Sequence, residues 1–481
     1  MVDSAGLLPA NDKRDAKTVC ELIRNRVIAA GLWGSSEQGC DECRTHLISP
    51  EPFALGGDIV DFLHKLGNAL LAFYDAVNDL YLRSDNDWVN EYLDIGKGDD
   101  LIRHAKMHYQ KRALPMIIRP DILIGEDKIA ASLRITELDS VPGGMGQLDC
   151  LSAAYGEAGF DLVGSTRGMR DGFAAMIREV AGNDDPVCAI IVSDESVDYL
   201  PEMTYLGSEL HKIGLQAFTV RPKEIIFTED GLYIDVEEER LRVDVVYRFF
   251  ELFDLLNIPK SELISYAARK KLVVVTPPYK PFLEEKMLLA LLHNDSLKEY
   301  WVSSLGTQYF DTLKATLVPT YILDNRPVPP HAEISGFRWQ GKPIRDWRAI
   351  EEGTQKERRL IIKPSGFSPF AWGARGVKVG HDMALEDWAD AVEMALSSFD
   401  NSPYVLQPFS DTALFGVKYC GEAAGEVKEM QARVRLCPYY YVIGGEARLG
   451  GVLATACPKN KKLIHGMVDA VMLPCSQMKE S

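Results

Sequence analysis

Apolar residues recur at helical spacing in two stretches near the start of the chain. Ala16 to Ala30 holds one stripe. Gly57 to Arg83 holds a longer one, through Ile59, Phe62, Leu63, Leu66, Leu70 and Phe73 and on to Val77, Leu80 and Tyr81. Residues three and four apart share one side of a helix, so both stretches are predicted helices with a buried face. The polar segment from Gly34 to Pro52 joins them, and together they give a helical flank over residues 1–112.

The period changes at Met116. Ile117-Ile118-Arg119-Pro120-Asp121-Ile122-Leu123-Ile124 is an apolar run with charges at alternate positions, Gly125 to Lys128 signal a turn, and Ser132 to Asp139 resume the alternation. This predicts a hairpin, followed by the glycine-rich loop Val141-Pro-Gly143-Gly144-Met-Gly146 and a helix from Gln147 to Ala158, all within 113–185. Residues 186–275 alternate. Strand Val187 to Val192 precedes helix Glu202 to Ile213, strand Gln216 to Val220, a hairpin of Glu224 to Thr228 with Leu232 to Asp235, and strand Val243 to Phe249. That is the rhythm of a small doubly wound α/β unit. In 276–481 the runs Leu360 to Lys363, Val377 to Val379, Tyr404 to Gln407, Glu429 to Cys437, Tyr439 to Ile443 and Glu446 to Ala454 predict mostly antiparallel strands and few helices. The class is α+β.

Composition narrows the function classes. With 46% apolar and 26% charged residues over 481 positions, the chain has ample core and is not disordered as a whole. The 53 basic against 70 acidic residues leave a net charge of −17 without a concentrated basic block, which argues against nucleic acid and anionic membranes as partners. No apolar run is long enough to span a bilayer, and Met1 to Gly6 lacks a basic-then-apolar leader. Nine scattered cysteines read as reduced thiols, so a cytoplasmic protein is expected. Cys40-Asp-Glu-Cys43-Arg-Thr-His46 offers half a zinc site without a matching second pair, and an ordinary reduced loop is preferred.

Gly-x-Ser-x-Gly and His-Glu-x-x-His are both absent, and the histidines stand singly. The informative residues are Arg119 with Asp121 and Glu137 with Asp139. Each pair is spaced i, i+2 on a strand and therefore shares a face. Three carboxylates among Ile, Leu and Val are costly unless something positive sits with them, and Mg²⁺ takes oxygen ligands while carrying substrate phosphates. A register setting Asp121 opposite Glu137 and Arg119 opposite Asp139 gathers all four. A tight turn at Gly125 to Lys128 would instead throw Glu137 to the other side, so this reading needs a wider loop or a bulge between Gly125 and Ala131. A solvated hairpin is the equal alternative. A second feature is the loop Lys363-Pro-Ser-Gly-Phe-Ser-Pro-Phe-Ala-Trp-Gly-Ala-Arg-Gly, where glycine lets backbone N–H groups approach phosphate. It is neither a Walker A loop nor a dinucleotide fingerprint. The third, Tyr404-Val-Leu-Gln407-Pro408-Phe409, suits the edge of a purine or is an ordinary strand end.

In this order the three features look like the ATP-grasp superfamily in its circularly permuted form. They resemble the synthetase domain of glutathionylspermidine synthase and, more distantly, eukaryotic-type glutathione synthetase. The resemblance covers Ala113 to Cys475, about three quarters of the chain. It also rests on Ser140 with Gly143-Gly144, Val243-Asp-Val-Val-Tyr-Arg248, Thr276-Pro-Pro before Glu285-Lys286, and Val442-Ile-Gly-Gly445-Glu-Ala-Arg448. No single motif is specific; the ordered set is. It implies Mg²⁺ on Asp121, Glu137 and Asp139, and Arg119 against the acyl phosphate or substrate carboxylate. It further implies ATP phosphates on Lys286 and Lys363, and an adenine hinge from Gln407 through Pro408 and Phe409 to Ser410. Ser140 and Glu202 are candidate substrate contacts. The implied activity is an ATP-dependent carboxylate–amine ligase acting through an acyl phosphate on small-molecule substrates. A Mg·ATP-binding module without turnover, and a kinase that stops at the acyl phosphate, are the alternatives. There are departures. Relatives commonly have Asn at the place of Asp139, and a Gly-Arg-Glu-Gly-like turn where this chain has only Arg375-Gly376. Nothing in the first hundred or so residues replaces the thiol amidase domain of some relatives.

Overall fold

The strand periodicity that begins at Met116 builds one edge of a seven-stranded sheet. The computed structural model describes residues 15–33, 47–83, 87–329, 332–371, 375–421, 426–466 and 469–479. Cys40, Cys43 and His46, the Met1 to Gly6 terminus, and the Trp372 to Ala374 part of the loop after Lys363 lie outside the described residues. The sheet runs in the order Phe53–Leu55, Val471–Gln477, Glu446–Pro458, Val427–Ile443, Ile117–Ile124, Leu133–Asp139, with Phe415–Cys420 also paired to Val427–Ile443.

The hairpin register is the one that places the charges together: Arg119 faces Asp139 and Asp121 faces Glu137. Two features make this possible. The connection is wide, closing with Gly125 N–H on the Ser132 carbonyl at 3.1 Å. A shift between Asp121 and Ile122, deeper in the strand than the turn sequence suggests, supplies the extra residue.

The N-terminal helices are built into this sheet. Helix Gly57–Leu82 buries Ile59, Leu63, Leu66, Leu70, Phe73, Val77 and Leu80, while Tyr440 Oη–H donates to the Leu63 carbonyl at 2.7 Å. Gly67 lies so close that a Cβ there would meet the Tyr440 ring at 2.5 Å. Strand Phe53–Leu55 pairs in parallel with Val471–Gln477, stitching the two ends of the chain together.

The two C-terminal strands expected on either side of Pro438 are one strand of 17 residues, Val427–Ile443. Proline gives up a ladder donor, and the register shift between Tyr439 and Tyr440 absorbs the disruption beside it. The small α/β unit has a parallel sheet in the order Val274–Thr276, Val245–Phe249, Val187–Val192, Gln216–Val220. Its hairpin carries a third strand, Glu239–Arg242. The Lys363 strand, Leu360–Pro364, lies in a separate antiparallel sheet beside Tyr404–Pro408. Helix Leu385–Ser397 packs beneath it through Trp388, Val392 and Leu396.

One expectation is corrected outright. Cys20, on the buried side of helix Ala16–Ala29, is joined to Cys420 in a disulfide that spans 400 residues, with a Cα–Cα distance of 6.6 Å. Such a partner is invisible in sequence because it is set by the fold. Cys150, Cys188, Cys437, Cys457 and Cys475 are free and buried. Among the described residues no helix is long and apolar enough to cross a membrane.

Candidate functional site

The hairpin presents its charges as a chain of ion pairs. Arg119 Nη2 lies 2.9 Å from Asp139 Oδ2 and its Nε 3.3 Å from Asp121 Oδ1. A third arm donates to the Gly143 carbonyl at 3.1 Å, fixing the guanidinium under the glycine loop. Asp121 is only 6% exposed. Its other oxygen lies 2.8 Å from Arg435 Nη1, and Cys437 Sγ–H points at Oδ1 from 3.4 Å. Glu137 is held by Lys286 at 2.6 Å, and Lys286 also donates to the Ala371 carbonyl at 3.2 Å. The hairpin, the start of helix Met287–His293 and the Lys363 strand thus meet in one place.

Electrostatics follow from the packing. Burial pushes the Asp121 carboxyl up, but Arg435 and Arg119 outweigh it and hold it below the usual carboxylate range. Burial raises Asp139 against the pull of Arg119 and of the Val141 amide, which donates to it at 2.9 Å. Lys363, half-buried, is pushed down to about 8, first by burial; Glu137 draws it up and Lys286 repels it.

The three carboxylates are not gathered as a cage. Among the described residues no group of three or more acidic, His or Cys side chains is disposed to hold a metal ion. The reason is local: Glu137 is drawn to Lys286 and Asp121 to Arg435, while Asp139 shares Arg119 with Asp121. As donors they still suit Mg²⁺, since all are carboxylate oxygens on one sheet face.

Three other expected residues have structural commitments. Gln407 is 1% exposed and donates to Thr136 O at 3.2 Å and Thr320 Oγ1 at 3.1 Å, so its side chain braces the hairpin and is not free to meet a base. Phe409 N–H donates to Arg359 O at 2.9 Å, while Pro408, Phe409 and Ser410 stay half-buried at the strand end. Glu202, a candidate substrate contact in the sequence, serves as a cap. Its oxygens accept from Gly144 N at 2.7 Å and Gln147 N at 3.3 Å, at the start of helix Met145–Glu157, and burial raises it to about 7. Ser140 is buried directly after Asp139.

Sequence reasoning missed Arg435 and Cys437, although their i, i+2 spacing on a strand is the signal that singled out Arg119 and Asp121. It also missed Glu251 and Glu284 around the buried Arg248. Burial, with repulsion from Glu284 and Asp139, lifts Glu251 to about 8. A cavity of about 600 Å³ lined by Trp88, Tyr92, His293, Tyr321 and Trp347 lies elsewhere and includes none of the hairpin charges. The ion-paired cluster, not that cavity, is the candidate site.

No family model matches the chain, and no curated protein sequence does. In structure, it is similar to the apo form of a glutathione synthetase-like effector from Globodera pallida, with a TM-score of 0.58 at 11% identity over 97% of this chain and 98% of that one. The chain shares that fold. A Methylobacillus flagellatus protein provisionally named γ-glutamylcysteine synthetase is similar at a TM-score of 0.41 and 11% identity, over 83% and 85% of the two chains, too loosely to carry weight.

Proposed function

We propose that this chain is an ATP-dependent carboxylate–amine ligase of circularly permuted ATP-grasp architecture. The observation that carries the reading is the meeting of Lys286 and Lys363, from two separate elements, with Asp121, Glu137 and Asp139 beside Arg119 and Arg435. Four basic side chains against three acidic ones leave an excess of positive charge suited to a polyphosphate. The fold shared with a glutathione synthetase-like effector supports it.

In this reading a substrate carboxylate oxygen attacks the γ-phosphorus of ATP and ADP leaves. An amine nitrogen then attacks the acyl carbon, phosphate leaves, and the amine proton passes to solvent. No side-chain nucleophile is needed. Lys286 and Lys363 hold phosphate oxygens, the former in competition with Glu137. Arg119, immobilised by Asp121, Asp139 and Gly143, faces the charge that grows as the acyl phosphate forms. The strand end from Pro408 to Ser410 borders the base. Mg²⁺, held by Asp121, Glu137 and Asp139 when bound, would neutralise phosphate charge. The acid and the amine are small molecules, and Ser140 sits where the acid would lie.

ADP release measured against panels of carboxylates and amines tests this. Turnover that requires both substrates and falls in Glu137→Gln is the expected result. Undiminished turnover in Asp121→Ala and Glu137→Gln would sink it.

A further inference from the structure

Lys97 lies in the N-terminal region, far in sequence from every residue assigned above. Its ammonium is fully buried, 2.6 Å from Glu285 Oε1, and Glu285 is itself 1% exposed at the side chain. Removing two charges from water is costly, and a pair this deep persists only where further hydrogen bonds satisfy it. The bonds that Glu285 accepts lead to the nucleotide lysines. Lys97 also donates to the Ile95 carbonyl at 3.3 Å and sits 5.3 Å from the centre of the Phe367 ring. Glu285 accepts from the Ser365 hydroxyl through Oε2 and from the Phe367 amide at 3.3 Å through Oε1.

Ser365 and Phe367 belong to the loop that follows Lys363. Ser365 in turn accepts from the Met287 amide at 3.1 Å through its hydroxyl, and from the Lys286 amide at 3.0 Å through its carbonyl. Gly366 completes the contact: any Cβ there would meet the Glu284 carbonyl at 2.2 Å, so the loop lies directly on the Glu284–Glu285 backbone. One buried carboxylate therefore fastens three pieces of chain: the turn before helix Asp99–Ala105, the start of helix Met287–His293, and the loop after Lys363.

We infer that Lys97 and Glu285 are positioning residues that lock the Lys363 loop against the Lys286 backbone and so fix the spacing of the two phosphate-binding lysines. This rests on the nucleotide reading of those lysines. It gives the N-terminal region a role in the site through Lys97, which acts on the loop and not on a substrate. Neither residue touches nucleotide; both act through the loop.

The test separates placement from stability. A single substitution would leave an uncompensated buried charge, so the informative variant is the apolar pair Lys97→Met with Glu285→Leu, which keeps volume and removes both charges. Ser365→Ala is the second variant, removing the hydroxyl that joins Glu285 to the Met287 amide while keeping the ion pair. Amide hydrogen exchange without nucleotide is the first readout. The Phe367, Lys286 and Met287 amides should exchange at least roughly tenfold faster in both variants, a loss of about 1.4 kcal/mol of local protection, while strand Val187–Val192 stays as in the wild type. Calorimetry with Mg·ATP is the second, with Kd raised roughly tenfold or more. Unchanged loop exchange with unchanged Kd overturns the inference. So does faster exchange spread evenly into Val187–Val192, which marks a merely structural pair. Wild-type protein that binds no Mg·ATP at millimolar concentration defeats the nucleotide reading itself, a different failure from wild-type binding that both variants retain.

Discussion

Lys363 offers a lever on the nucleotide site that needs no knowledge of the substrates. Burial brings its ammonium down to about 8 against the attraction of Glu137. A lysine at that value is about nine-tenths charged at pH 7 and about one-tenth charged at pH 9. If the charged form grips phosphate, affinity for Mg·ATP falls roughly tenfold between those limits, about 1.4 kcal/mol. The sign is fixed by the direction of the shift: affinity is full below the folded value and lost above it. Bound phosphate pulls the lysine back up, so binding at pH 8 should take up about half a proton. Calorimetry in buffers of different ionisation enthalpy measures both quantities. Lys363→Arg carries a charge that does not titrate, so its affinity should stay level from pH 7 to pH 9. A level wild-type profile, or an arginine variant that falls in parallel with it, refutes the placement of Lys363 on phosphate.

Four more outcomes follow from the structure. Asp121→Ala strands Arg119 and Arg435 without their shared anion, and urea unfolding should register a loss of about 3–5 kcal/mol. Glu137, 31% exposed at its side chain and ion-paired among the described residues with Lys286 alone, behaves differently: Glu137→Gln should stay within about 1 kcal/mol in stability while ADP release falls on the order of a hundredfold. Because burial raises Glu202 to about 7, its contribution to stability is present below about 4.5 and lost as pH rises through about 7. Unfolding of wild type and Glu202→Gln across that window should differ by an amount that changes with pH by roughly 3 kcal/mol, and a constant difference counts against the burial argument. Finally, non-reducing peptide mapping should recover Cys20 linked to Cys420, and Cys20→Ser should cost about 2–5 kcal/mol of stability.

How much of this was legible depends on the range of each interaction. The hairpin charges were readable because period-two alternation places Arg119, Asp121, Glu137 and Asp139 by local rules alone. Their register was not, since the shift opposite Asp121 and Ile122 puts its extra residue, Thr136, inside the second strand and leaves no mark in the turn. Pro438 misled for a related reason: a proline predicts a strand break, and the long sheet tolerates it through a neighbouring bulge. The meeting of Lys286, Lys363 and Arg435 was open only to resemblance or to coordinates. Nothing local relates residues from three different elements, and the Lys97–Glu285 pair spans 188 positions. Gln407 and Glu202 show the converse. The resemblance puts Gln407 in an adenine hinge and the chain order puts Glu202 near the substrate pocket, yet a buried side chain near backbone amides or carbonyls first satisfies those groups.

The ion pairs also divide the site by how readily each gives way. Asp121 is buried, paired with two guanidiniums and held in its charged state, so displacing either arginine takes a cation from a carboxylate that water barely reaches. Asp139 shares one of those guanidiniums and a backbone amide. Glu137 has one cation partner among the described residues, Lys286, and the most exposed side chain of the three. An incoming triphosphate therefore meets least resistance at Lys286, where a phosphate oxygen can replace a carboxylate that water can still reach. Exchange there frees Glu137 beside Asp121 and leaves the arginine frame untouched. Lys286 thus joins two states of the site: the cation that pairs with Glu137 without nucleotide is the one a phosphate claims, while Arg119 and Arg435 keep Asp121 and Asp139 in place.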